Sequence, residues 1–248
     1  MTEEFRRNTI RRKLARMEGR DAWPAMPTGF RALDAVLGIG GLPRGSIVEW
    51  FGPPSCGKTT LALETVAHLQ QSGSIAAWID ADRTFDPAYA AALGVALERL
   101  PVVRPETAEE AMEMARQLLD SGAVDLLVVD SAAALTPGLE LEAGIGDAAF
   151  SLQGRVLASG LRKICFALRR SGAAAVFLNQ SRNRPEAGGE PETTAGGPSL
   201  KLYAPIRLSL QPGKGGRLRL RALKNAAAAA FQDGVLEWRG GAGLADTP

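Results

Sequence analysis

The stretch Gly52-Pro53-Pro54-Ser55-Cys56-Gly57-Lys58-Thr59 fits the pattern GxxxxGK(S/T), and with its flanks it leaves few folds open. It follows the apolar run 47–51, which predicts a buried strand. It opens Leu61-Ala62-Leu63-Glu64-Thr65-Val66-Ala67, which predicts a helix. A strand, a glycine-bearing loop and a helix in that order build an anion site, because the loop N–H groups and the helix N-terminus point the same way. Two glycines let the backbone curl around phosphates, Lys58 adds a positive charge, and the Thr59 hydroxyl can ligand Mg²⁺. Binding of ATP or GTP is therefore expected, with Gly52 to Thr59 and the following Thr60 in contact with the nucleotide.

The alternation continues beyond this unit. Apolar runs at 75–79, 126–129 and 173–178 predict strands, and helices are predicted at 58–72, 107–120 and 151–170, the second opened by a capping box of Thr107 and Glu110. Strands spaced by helices imply an α/β fold with a mostly parallel sheet covered on both faces. After residue 204, Ile206, Leu208 and Leu210 alternate with Arg207, Ser209 and Gln211. Past the glycines of 213–216, Leu218 and Leu220 alternate with Arg217, Arg219 and Arg221. This predicts an antiparallel hairpin with one apolar and one basic face that extends the sheet. Residues 226–230, all alanine, read as either helix or tight loop.

Three regions follow: 1–27, a basic helix and linker; 28–240, the core; and 241–248, a flexible tail. The basic segment carries Arg6, Arg7, Arg11, Arg12, Lys13 and Arg16, and Pro24 and Pro27 break the pattern behind it. It reads as a solvated arm, or as a docking element for a neighbouring subunit or for DNA phosphate. No stretch approaches the ~18 apolar residues of a membrane span. With only Cys56 and Cys165, one of them inside the loop, a disulfide framework is implausible and a cytoplasmic location is expected. A net charge of +2 does not by itself predict a polyanion partner. His68 is the only histidine and reads as a packed residue. Trp23, Trp50, Trp78 and Trp238 read as core.

A phosphate loop needs a second Mg²⁺ anchor at the end of a neighbouring buried strand, and Leu126-Leu127-Val128-Val129-Asp130 supplies Asp130. Hydrolysis further needs a carboxylate to orient water. Asp80 and Asp82 follow the strand 75–79, where an open α/β sheet places such groups.

These motifs occur together with Asp86-Pro87-Ala88-Tyr89, Ser131 to Pro137, Ile145-Gly146-Asp147, Leu178-Asn179-Gln180 and Pro191-Glu192-Thr193-Thr194-Ala195-Gly196-Gly197. In that order, over about residues 28–240, they closely resemble the bacterial RecA recombinases. The resemblance implies a RecA-like P-loop NTPase core with ATP and Mg²⁺ as cofactors. Lys58, Thr59 and Asp130 would hold triphosphate and metal, Tyr89 would stack on adenine, and Asp86 would contact its amino group. Gln180 would sense the γ-phosphate, and Lys224 would reach across a subunit interface to the neighbour's nucleotide. Two loops at about 144–150 and 181–197 would grip single-stranded DNA, using Phe150, Arg155, Arg162, Arg182, Arg184, Gly196 and Gly197. Such cations meet backbone phosphates without reading sequence.

Departures from the family pattern temper this. Asp82 stands where the family has glutamate, so hydrolysis is expected to be slow. Ala226 replaces a second interface lysine, the second loop has Ala187, Gly188 and Gly189 in place of a large apolar side chain, the N-terminal segment is shortened, and the family's C-terminal domain is expected to be missing. The expected function is an ATP-dependent, single-stranded-DNA-binding protein of recombination and repair that self-associates into a filament or ring. The alternative is an accessory of the damage response that binds RecA or a translesion polymerase.

Overall fold

The computed structural model of the chain describes residues 23–144, 152–183, 192–240 and 243–247. The chain first forms β1 (Ala25–Met26), α1 (Arg31–Leu37) and β2 (Leu42–Pro43), with β1 and β2 as a small antiparallel pair. Then come β3 (Ile47–Gly52), α2 (Lys58–Gln71), β4 (Ala76–Asp80), α3 (Pro87–Ala92), β5 (Val102–Val103), α4 (Ala108–Asp120) and β6 (Leu126–Asp130). The second half holds α5 (Gly138–Glu142), α6 (Leu152–Ser171), β7 (Ala174–Asn183), β8 (Glu192–Thr194) and α7 (Ser199–Tyr203). It ends with β9 (Ile206–Gly213), β10 (Arg217–Asn225), β11 (Asp233–Trp238) and β12 (Leu244–Asp246).

The main sheet runs β12-β11-β10-β9-β3-β7-β6-β4-β5, with β8 paired to β7. From β9 to β5 every pairing is parallel, and from β9 to β12 every pairing is antiparallel. All residues of β3, β4 and β6 are buried, as strands covered on both faces must be. One apolar layer gathers Trp50, Trp78, Leu61 and Val66 beneath α1 and α2. The other gathers Ile79, Phe177, Leu119 and Leu161 beneath α4 and α6. Helix α4 buries Ala108, Ala111, Met112, Ala115 and Leu119, a stripe at helical spacing. It approaches α6 so closely that a Cβ on Gly160 would stand 2.4 Å from Met112. Helix α2 lies between β3 and the solvent-side elements and is buried nearly all round.

Several expectations need correction. Strand β9 is an interior strand, parallel to β3, so Arg207 and Ser209 are buried rather than part of a basic surface; only β10 alternates exposed and buried residues. The capping box is half formed: Thr107 Oγ1 accepts from the Glu110 N–H, but the Glu110 carboxylate accepts from Glu106 N–H instead. Leu244–Asp246 is not a loose tail but an edge strand against β11, and the Asp246 carboxylate accepts from the N–H groups of Arg31 and Ala32 at the start of α1. The alanine run forms a turn in which Asn225 Oδ1 accepts from the N–H groups of Ala227 and Ala228. His68 is packed, as expected, against Phe30 with ring centroids 5.3 Å apart. The basic segment 1–22 lies outside the described residues.

Candidate nucleotide-binding site

Strands β3, β7, β6 and β4 are neighbours whose carboxyl ends share one edge, where open α/β sheets bind ligands. Register sets Gly52 opposite Gln180 and Asp80 opposite Asp130, so the four motifs converge although as many as 128 residues separate them. Gly52 is required by close approach: a Cβ there would stand 2.1 Å from the Leu210 carbonyl oxygen. Beyond it, Ser55 (φ 57°) and Gly57 (φ 102°) adopt left-handed backbone, the conformation from which anion-binding nests of backbone N–H groups are built. Helix α2 starts at Lys58 with no side-chain cap, so its first-turn N–H groups are available to an anion. Pro54 and Ser55 are exposed on the loop, whereas Cys56 is buried, and burial pushes its thiol up.

Lys58 is buried, and its Nζ donates to the carbonyls of Gly52 (3.1 Å) and Pro53 (2.7 Å). The Thr59 hydroxyl donates to Asp130 Oδ2 at 2.9 Å. Burial first, and then the charge of Asp82, push the Asp130 carboxyl up to about 7, against the lowering effect of Thr59 and Lys58. A divalent cation beside this carboxylate would offset the charge of Asp82 and favour its ionised form. Among the described residues no three His, Cys, Asp or Glu groups converge as a metal cage. Thr59 and Asp130 fit instead an Mg²⁺ whose other ligands are phosphate and water oxygens, the arrangement this ion prefers.

The two acidic candidates at the end of β4 and just beyond it separate cleanly. Asp80 is buried and structural: its Oδ1 accepts from the N–H groups of Thr84 and Phe85, and its Oδ2 pairs with Arg104 at 2.9 Å. Asp82 faces the site, with its Oδ2 accepting from the Ser131 hydroxyl at 3.2 Å and its Oδ1 buried without a hydrogen-bond partner. On the other flank, Asp86 Oδ1 caps α3 by accepting from the N–H groups of Ala88 and Tyr89, leaving its second oxygen outside the cap. Tyr89 is 37% exposed, and its hydroxyl shares a hydrogen bond of 2.8 Å with Thr60 at the start of α2.

Two residues were missed from sequence. Trp238, read as core, is 39% exposed at the end of β11 and lines the loop cavity with residues 55–60; its ring would meet a Cβ on Gly57 at 2.7 Å. Ser131 was part of a motif without a role, and it is the partner of Asp82.

Gln180 is exposed at the end of its buried run in β7. Lys224 is on β10, its Nζ donating to Lys201 O at 2.8 Å in the last turn of α7. Gly196 and Gly197 both have positive φ and sit against the start of α6, where a Cβ on Gly196 would meet Leu157 at 2.6 Å. Arg155 and Arg162 are exposed two turns apart along α6, and Arg162 lines a groove with Arg116, Phe166 and Arg170. Phe150, Arg184 and the side chain of Arg182 lie outside the described residues.

A phosphate loop at the turn from β3 to α2, with an acidic residue closing the nearby strand β6, defines a P-loop NTPase core. Residues 3–244 match the family described as the RecA N-terminal domain, and the chain belongs to that family. It is 48% identical over 225 residues to Protein RecA of Acidothermus cellulolyticus, covering 87% of this chain and 65% of that protein. It is 47% identical over 230 residues to Protein RecA of Thermus thermophilus, covering 88% and 68%. The chain thus spans about two thirds of the length of these relatives.

Proposed function

We propose that the chain is a MgATP-dependent, single-stranded-DNA-binding RecA-like protein of recombination and repair, with ATP at the boundary between protomers as the switch for assembly. The observation that carries the nucleotide part is the Thr59–Asp130 hydrogen bond beside a loop with left-handed backbone at Ser55 and Gly57 and the buried Lys58. In this reading Lys58 and the loop amides hold the β- and γ-phosphates, and Thr59 and Asp130 hold the ion. Mg²⁺, when bound, offsets the charge of phosphates and carboxylate together. Asp82, its Oδ2 held by Ser131, offers Oδ1 to the attacking water, and Gln180 stands across from Gly52 at the γ-phosphate end. Asp86 and Tyr89 serve the base.

The loop cavity, about 170 Å³ and lined by residues 55–60 and Trp238, is the phosphate-loop part of this site. Lys224 is the group offered to the neighbour's nucleotide. The exposed Arg155 and the glycines 196 and 197, gathered at the start of α6, support a DNA path there.

Asp82 also favours a second reading. Its carboxylate is one methylene shorter than glutamate and is held back by Ser131, which suits a slow ATPase acting as an accessory of RecA or of a translesion polymerase. Fluorescence anisotropy of a labelled single-stranded oligonucleotide separates the two. The recombinase reading expects tight binding with a non-hydrolysable ATP analogue and Mg²⁺, and much weaker binding with ADP. No nucleotide-dependent binding would contradict it.

A further inference from the structure

A row of side chains crosses the middle of the sheet on the face covered by α6 and α7. Register sets Phe177 of β7 beside Glu49 of β3, Glu49 beside Arg207 of β9, and Arg207 beside Lys224 of β10. Glu49 is 0% exposed and Arg207 5%, and they form an ion pair through Oε2 and Nε; the guanidinium also lies 4.6 Å over the Phe51 ring. The second carboxylate oxygen, Oε1, accepts from Asn179 Nδ2 at 2.9 Å. Asn179 Nδ2 donates in addition to the Ala195 carbonyl at 3.0 Å, and its Oδ1 accepts from the Gln180 N–H at 2.9 Å.

Glu49 thus joins two unlike ends. On one side, through Asn179, it is bound to the backbone of Gln180 and to Ala195, which follows β8 and itself donates to the Gln180 carbonyl. On the other side, through Arg207, it abuts Lys224, whose proton affinity is lowered by burial and by Arg207 and raised by Glu49. Stability alone does not account for such a row, since apolar residues often replace a buried ion pair without loss. Both oxygens of Glu49 and both polar atoms of Asn179 are hydrogen-bonded, and stranding either group in the interior is costly, so a shift of one draws on the others.

We propose that Glu49 is a positioning residue coupling the two nucleotide-facing groups of a protomer, Gln180 toward its own ATP and Lys224 toward the neighbour's. The coupling rests on the nucleotide and interface roles assigned above to Gln180 and Lys224. A shift of the Gln180 backbone carries the Asn179 amide with it, Glu49 follows to keep its hydrogen bond, and Arg207 resets the position of Lys224. Occupancy of one site then biases the next, which appears along an assembly as cooperativity.

The test is the dependence of single-stranded-DNA-stimulated hydrolysis on ATP concentration, read as a Hill coefficient. The wild-type protein is expected to give a coefficient above 1. Glu49→Gln keeps the shape but drops the charge and one of the two acceptor oxygens that Arg207 and Asn179 use, and it is expected to bring the coefficient to 1 while ATP affinity of the DNA-free protein, read by calorimetry, stays the same. Asn179→Ser severs the sensor side and leaves the Glu49–Arg207 pair intact. It is expected to give the same loss, with no further loss in the double variant. Should Glu49→Gln fail to fold, Asn179→Ser decides alone. A wild-type coefficient of 1, or an unchanged coefficient in the folded variants, overturns the coupling. Failure of the wild-type protein to bind ATP at all overturns instead the nucleotide reading beneath it.

Discussion

The hydroxyl of Thr59 donates to Asp130 Oδ2 across 2.9 Å, and this hydrogen bond ties the first turn of α2 to the end of β6. If it marks the metal position, MgATP at ~100 times its Kd should raise Tm by about 5–10 °C for a chain of this size. Lys58→Ala should abolish most of that rise. Asp130→Asn should remove the part that depends on Mg²⁺. A thermal shift assay with and without Mg²⁺ checks both, and full nucleotide stabilisation of Lys58→Ala would contradict the loop assignment.

At the β4 end the buried Asp82 Oδ1 has no hydrogen-bond partner, whereas both oxygens of Asp80 are engaged by Thr84, Phe85 and Arg104. Asp82→Asn should lower kcat by about a hundredfold or more with ATP affinity retained. Asp82→Glu should raise it, because a carboxylate misplaced by ~1 Å can lose about a hundredfold. Steady-state hydrolysis alongside a binding measurement distinguishes these outcomes, and unaltered turnover in Asp82→Asn would remove this residue from the mechanism.

Glu64 links α2 to the C-terminal edge, both of its oxygens accepting from the Leu244 N–H at 3.0 Å. Burial pushes its carboxyl up to about 7 from 4.5, so between those values the folded chain holds a proton that the unfolded chain has released. Stability from this group is full below pH 4.5, falls as pH rises through the window and is lost above 7, on the order of 3 kcal/mol in all. Glu64→Gln should therefore exceed the wild type in Tm at pH 8, with the two curves meeting near pH 4.5. A gap independent of pH would contradict this.

Trp50 and Trp78 are 0% and 1% exposed, whereas Trp238 opens onto the loop cavity. Nucleotide binding should change the tryptophan emission, and Trp238→Phe should erase most of the change with the affinity reduced only modestly. An emission response that persists in Trp238→Phe would contradict Trp238 as the residue that meets the bound nucleotide.

The loop, its flanking elements and Asp130 were legible because each is contiguous: a motif of eight residues, or an apolar run closed by a carboxylate. Arg207 misled because alternation with Ile206 and Leu208 is also what a half-exposed strand displays; its burial depends on Glu49, 158 residues away. Trp238 and Leu244–Asp246 were misread for the same reason, since their partners are the loop, Glu64 and the start of α1, all distant in sequence. Glu110 misled at short range, its carboxylate choosing Glu106 N–H over the cap residue.

The most direct measurement is steady-state ATP hydrolysis while single-stranded DNA is titrated in, with Lys58→Ala as the blank. Strong stimulation that is absent in Lys58→Ala is the expected result, because phosphate loop, Gln180 and DNA loops would then act as one unit. Turnover indifferent to DNA would contradict a DNA-coupled switch.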